Sequence, residues 1–195
     1  MPLSQPVERE HLHTRNMEFH GYRRADGLWD IDARLTDVKT YEFPNEFRGV
    51  IAANEPLHDM WLRVTIDEDF IVREIEAVTD GAPFRACPAI TPNFKKMIGV
   101  KMRSGWRKAV RERLGGIEGC THLVEALGAF ATVAYQTLYP TLAKKKRKHR
   151  PRIGKPPLID SCHAFRSDGD VVKKSWPEFY TGADRQPAYE PEKAD

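Results

Sequence analysis

Along the first part of the chain, apolar and polar positions alternate with a period of two. From Thr14 to Arg24, the series Arg15, Met17, Phe19, Gly21 opposes Asn16, Glu18, His20, Tyr22, which is a strand pattern. Ala25-Asp26-Gly27 signals a turn, and Trp29-Asp30-Ile31-Asp32-Ala33-Arg34-Leu35 alternates again, completing a β-hairpin. Phe43 to Pro56, with Pro44, Asn45, Gly49 and Asn54, reads as a loop. A second hairpin follows: Met60 to Ile66 is rich in β-formers, Asp67-Glu68-Asp69 turns the chain, and Phe70 to Val78 returns.

The period then lengthens. Thr91-Pro92 predicts the start of a helix carrying Phe94, Met97 and Ile98 on one face before Gly99. Ser104 is the expected cap of a second helix with Trp106, Val110 and Leu114 on one side, stopped by Gly115-Gly116. A third helix is expected from about Thr121 to Tyr139, with an apolar stripe of Leu123, Leu127, Phe130 or Ala131, Ala134 and Leu138, ended by Pro140. Leu158 to Phe165 suggests a short returning segment, and the tail beyond Trp176 is rich in proline and charge. Strands first and helices second predict an α+β fold, a mostly antiparallel sheet of about four strands in two hairpins with three helices packed on one face. The expected organisation is a flexible arm over 1–13, a single domain over 14–176 and an irregular tail over 177–195.

Composition narrows the class. The chain has 195 residues, 41% hydrophobic and 30% charged, as an ordinary folded domain does. No stretch approaches the roughly 18 consecutive apolar residues of a membrane span. Pro2 to Glu10 carries acids and no apolar core, so it does not read as a signal peptide. Three cysteines suggest no disulfide framework, and reduced thiols in a cytoplasm are the simplest expectation. The net charge of +3 conceals an asymmetry, because seven of the 31 basic residues lie in the strip from Lys144 to Arg152. The remaining 24 face 28 acids, so a basic strip is attached to a mildly acidic body. That argues against a protein whose whole surface tracks nucleic acid, and no aromatic residues interleave the strip to stack on bases, although its cations could contact phosphates.

The candidate chemistry lies in cysteine and histidine. Cys120 and His122 stand at the expected start of the third helix, where unpaired N–H groups and the helix dipole favour an anion. A thiolate there could act as a nucleophile or ligate a metal. His58 beside Asp59 could be a general base, which makes Cys120, His122 and His58 the candidate catalytic residues. Cys87, Cys120, His122, Cys162 and His163 form the candidate metal set, with zinc or iron as the ion. Arg23 and Arg24 could hold a carboxylate or phosphate, and with Trp61 they form the candidate substrate-binding set. No Gly-rich phosphate loop, Gly-x-Ser-x-Gly elbow or His-Glu-x-x-His motif is present. The expected activity is therefore a lyase or hydrolase step on a small molecule without a nucleotide cofactor. The alternative is a metal- or iron–sulfur-binding scaffold or accessory protein using the same residues, and a weaker one is nucleic-acid binding through the basic strip from Lys144 to Arg152.

Four strings, Tyr22 to Ile31, Leu57 to Leu62, Gly119 to Leu123 and Asp160 to Phe165, together resemble a bacterial domain-of-unknown-function family (DUF2889-like) over nearly the whole chain. The resemblance implies a setting in bacterial catabolism, of aromatic compounds and acyl thioesters, and no settled activity. From Trp61 to Leu138 the order of elements is also similar to the iron–sulfur-cluster scaffold proteins. By position Cys87 would match that family's first cysteine and Cys120 a later one. The cysteine that family has between them is missing here, so His122 or Cys162-His163 would have to supply ligands.

Overall fold

The computed structural model describes residues 3–148 and 154–182, with the backbone alone at 143–148. Its contacts fall into two compact units, Met1–Ala143 and Lys144–Asp195, where the sequence suggests one domain over 14–176.

The first unit is α+β. Strands β1 (His13–Arg23), β2 (Trp29–Lys39), β5 (Pro56–Ile66) and β6 (Val72–Gly81) form an antiparallel sheet in the order β1-β2-β5-β6. Gly27 turns the first hairpin at φ +90°, a conformation that favours glycine, and Leu28 N–H donates to Asp26 Oδ1 at 3.2 Å. The predicted loop between Phe43 and Pro56 instead holds a two-stranded hairpin, β3 (Phe43–Asn45) and β4 (Gly49–Ile51), tied down by the fully buried Ile51.

Strand alternation sorts the two faces of the sheet. Trp29, Ile31, Ala33 and Leu35 of β2, with Met60, Leu62, Val64 and Ile66 of β5, are buried on the inner face. The outer face carries polar pairs directly across the strands: the Arg63 guanidinium on Asp32, and the Thr65 hydroxyl donating to Asp30.

A 3₁₀ stretch (Cys87–Met97), α1 (Trp106–Leu114) and α2 (Thr121–Lys148) supply the apolar side chains that complete this core. Phe94 and Met97 are buried as predicted, but Ile98 is exposed because the chain is already extended there. The expected cap at Ser104 is not made; Gly105, at φ +90°, precedes α1 with no side-chain cap. Trp106 is buried and its indole N–H donates to Leu127 O at 2.9 Å, locking α1 onto α2. Nor does α2 stop at Pro140. The proline removes one helix hydrogen bond, yet Leu138 is fully buried before it, and the following Ala143 and lysines are good helix formers, so the helix runs on to Lys148. Gly21 lets β1 approach this helix, since a Cβ there would stand 1.9 Å from Thr137 Oγ1.

The second unit contains a 3₁₀ turn (His163–Phe165), α3 (Asp170–Ser175) and a further 3₁₀ turn (Pro177–Phe179). Asp160, at φ +63°, organises the first turn by pairing with Lys155 at 2.6 Å and accepting Ser167 N–H at 2.8 Å. Of the basic strip, residues 149–152 lie outside the described residues, as do residues 183–195 of the expected tail. Among the described residues no helix is long and apolar enough to cross a membrane.

Candidate functional site

The apolar inner face of the sheet gives way at one end to a polar row. Register places Arg15 of β1, Asp37 of β2 and His58 of β5 side by side across three strands. Asp37 continues the buried phase of Ile31, Ala33 and Leu35, and His58 continues that of Met60 and Leu62. Both are buried, Asp37 at 2% exposure and His58 at 7%. The β2–β5 register shifts just after this pair, and the β5–β6 register shifts between Asp59 and Met60. Such bulges re-aim side chains at a strand end.

Asp37 is the hub. Its Oδ1 accepts from His13 Nε2 at 2.7 Å and Arg15 Nε at 2.8 Å, and its Oδ2 accepts from the Arg15 guanidinium at 2.8 Å and His58 Nδ1 at 2.9 Å. Four donors fill the lone-pair positions of one carboxylate. Burial would raise the Asp37 pKa, but the hydrogen bonds from Arg15 and His13 and the nearby positive charge outweigh it and bring it down to about 2. Arg15 also reaches Glu125 of α2 at 2.7 Å, joining the row to the helix.

The start of α2 lies over this row. Gly119 makes that possible: a Cβ there would stand 2.2 Å from Leu114 O, so only glycine passes the end of α1 so closely. Next comes Cys120, whose carbonyl accepts Val124 N–H as the helix begins. Cys120 Sγ lies 3.8 Å from His122 Nδ1 and 4.0 Å from Met60 Sδ. The His122 ring packs on His58, with centroids 3.9 Å apart and planes tilted by 37°. Burial lowers the pKa of both imidazoles. For His58 the neighbouring His122 adds to the effect, for His122 the Arg15 charge does, and Asp37 opposes both. The site thus offers a thiol, two imidazoles favoured in their neutral form and a fixed carboxylate.

These shifts have a sign that stability measurements can test. A histidine whose folded pKa lies below the unfolded value of about 6.5 leaves the unfolded chain binding more protons in that interval. Its contribution is complete above about pH 6.5 and is lost as pH falls through the lower folded value. Urea unfolding of this protein should weaken from about pH 6.5 downward, and a His58→Gln, His122→Gln double variant should be less sensitive. Equal stability of the unmodified protein at pH 7 and pH 5 would contradict the buried, neutral pair.

Of the sequence-derived candidates, Cys120, His122 and His58 come together. Asp37, Arg15 and His13 join them and were not anticipated. The available signal is a carboxylate in the apolar phase of a strand, since Asp37 lies two positions beyond Leu35 in the series Ile31, Ala33, Leu35. Among the described residues, Asp37, His58 and His122 form the group whose donor atoms all lie within 4.8 Å of one another and could hold a metal ion. Cys87, at the start of the 3₁₀ stretch, is outside that group, and Cys162 and His163 are exposed in the second unit. Arg23 and Arg24 follow the length of β1 to the opposite end of the sheet, where Arg24 is engaged by Asp26 and Asp30. Trp61 lies on the outer face, 4.8 Å beneath the Arg34 guanidinium. The candidate substrate-binding set therefore does not converge on the Cys/His cluster.

No curated protein and no solved structure matches the chain. A family model described as a protein of unknown function (DUF2889) matches residues 13–136, from the first residue of β1 into α2, a span that contains Asp37, His58, Cys120 and His122. The chain belongs to the DUF2889 family.

Proposed function

We propose that the protein is a small cytoplasmic enzyme of lyase or hydrolase type, acting on an organic acid, aromatic or acyl compound, with Cys120 as its nucleophile. The observation that carries this reading is the approach of Cys120 Sγ to His122 Nδ1, 3.8 Å, at the start of a long helix and beside the Asp37–His58 pair. A neutral imidazole at that distance can take the thiol proton, and the helix start favours negative charge. His58, its Nδ1 held by Asp37, is oriented as the second acid–base group. The test is a panel of esters and acyl thioesters assayed with Cys120→Ala and His122→Gln. Turnover should fall by about a thousandfold in the first, with unchanged thermal unfolding, and by a hundredfold or so in the second. Turnover that survives Cys120→Ala would remove the thiol from the chemistry.

A second reading has its own observation, the 4.8 Å grouping of Asp37, His58 and His122. Two imidazoles and a carboxylate suit a divalent transition ion such as zinc or iron. The filled lone-pair positions of Asp37 weigh against it, since an ion would have to displace the His58 or Arg15 donor. Elemental analysis of untagged protein decides: about one equivalent of metal, lost in His58→Ala, would favour the ion over the free thiol.

A further inference from the structure

We infer that the hydroxyl of Thr79 belongs to this site, as the donor that receives a substrate's carbonyl oxygen when Cys120 attacks. The inference rests on the reading of Cys120 as nucleophile. Among the described residues, Thr79 Oγ1 is the buried side-chain oxygen that makes no hydrogen bond. Buried hydroxyls ordinarily find a partner, because leaving one unmade destabilises the fold, and valine would fill the same space without that penalty.

Its position connects the hydroxyl to the thiol. Thr79 of β6 stands directly opposite Met60 of β5, so the two side chains leave the sheet on the same inner face. Met60 is the residue whose Sδ lies 4.0 Å from Cys120 Sγ, and His58 is two positions along the same strand and face. The pairing runs from Asp59–Gly81 to Met60–Thr79, leaving Asp80 as an extra residue on β6, and this bulge sets the direction of the Thr79 side chain. A donor with no protein acceptor, opposite the residue that the nucleophile touches, is an arrangement that can stabilise charge only when the reaction creates it.

The Cys120 proton passes to His122, the S–C bond forms, and the carbonyl π pair moves onto oxygen, which accepts the Thr79 O–H. When that tetrahedral species collapses, the leaving group departs with its bonding pair and takes the proton from His122. The acyl group remains on Cys120 until water releases it.

The experiment uses ¹³C-labelled butyraldehyde, which adds to a thiol as a hemithioacetal and places an oxygen where the inference needs it. Wild-type affinity should fall tenfold or more in Thr79→Val and be largely retained in Thr79→Ser. Conversion of Cys120 to its methyl disulfide by methyl methanethiosulfonate, which expels methanesulfinate and develops no such oxygen on the bound group, should not change. The thermal midpoint of Thr79→Val should equal or exceed that of the wild type, because the hydroxyl gives up no protein partner. Equal aldehyde affinity in wild type and Thr79→Val, or a clear loss of stability in that variant, would overturn the inference while leaving Cys120 in place. Absence of any adduct on wild-type Cys120 would instead remove the nucleophile, and this inference with it.

Discussion

Replacing Asp37 with alanine should destabilise the first unit by about 3 kcal/mol, roughly a hundredfold or more in the ratio of folded to unfolded chains. The carboxylate is buried at 2% and is the acceptor for His13, Arg15 and His58 together. Its three partners do not suffer equally. The His13 side chain is 47% exposed and can return to water, and Arg15 keeps Glu125. His58 cannot do either, since its side chain is 9% exposed and Asp37 is the partner of its Nδ1. The loss should therefore stay below that of a fully enclosed ion pair but well above that of a surface one. Asp37→Asn should recover only part of it, because the amide turns an NH₂ toward a group that is itself a donor. Urea titration at pH 7 measures both variants. A loss under about 1 kcal/mol for Asp37→Ala would mean the polar row is held by something other than its carboxylate.

A loss of about 3–5 kcal/mol is expected for Phe130→Ala, measured in the same way. Phe130 is fully buried in the middle of α2, and its ring meets Phe19 of β1 edge to face at 5.6 Å. Truncation removes that aromatic pair and leaves a cavity between helix and sheet that neighbouring Leu127 and Ala134, themselves fully buried, are poorly placed to fill. Phe130→Leu should lose considerably less, because most of the volume is kept. The contact matters to the site as well, since α2 delivers Cys120 and His122 to the polar row from its first turn. A cost below about 1.5 kcal/mol would mean that α2 is seated on the sheet by other contacts.

Much of this architecture was legible because it depends on local periodicity. Alternation along β2 and β5 predicted two hairpins with one buried face, and the stripe from Leu123 to Leu138 predicted the helix that covers it. The errors fall where tertiary packing overrides a local signal. Pro140 normally stops a helix, but here α2 is anchored on one side by the core and continued on the other by helix-forming residues. The loop signals of Phe43 to Pro56 concealed a short hairpin whose only fully buried residue is Ile51.

For the site, residue types along the chain determined that Cys120 and His122 would share a helix start, because two positions apart on one turn is a local relation. They also determined that one face of the sheet would be apolar. Which distant residues join that pair was decided only by the tertiary structure. Strand register set Arg15, Asp37 and His58 in one row, and the passage of Gly119 past Leu114 brought the helix start over it. The same geometry left Arg23, Arg24 and Trp61 on other parts of the sheet. Register and helix placement are fixed by contacts between residues far apart in the chain, and local composition holds no record of those distances.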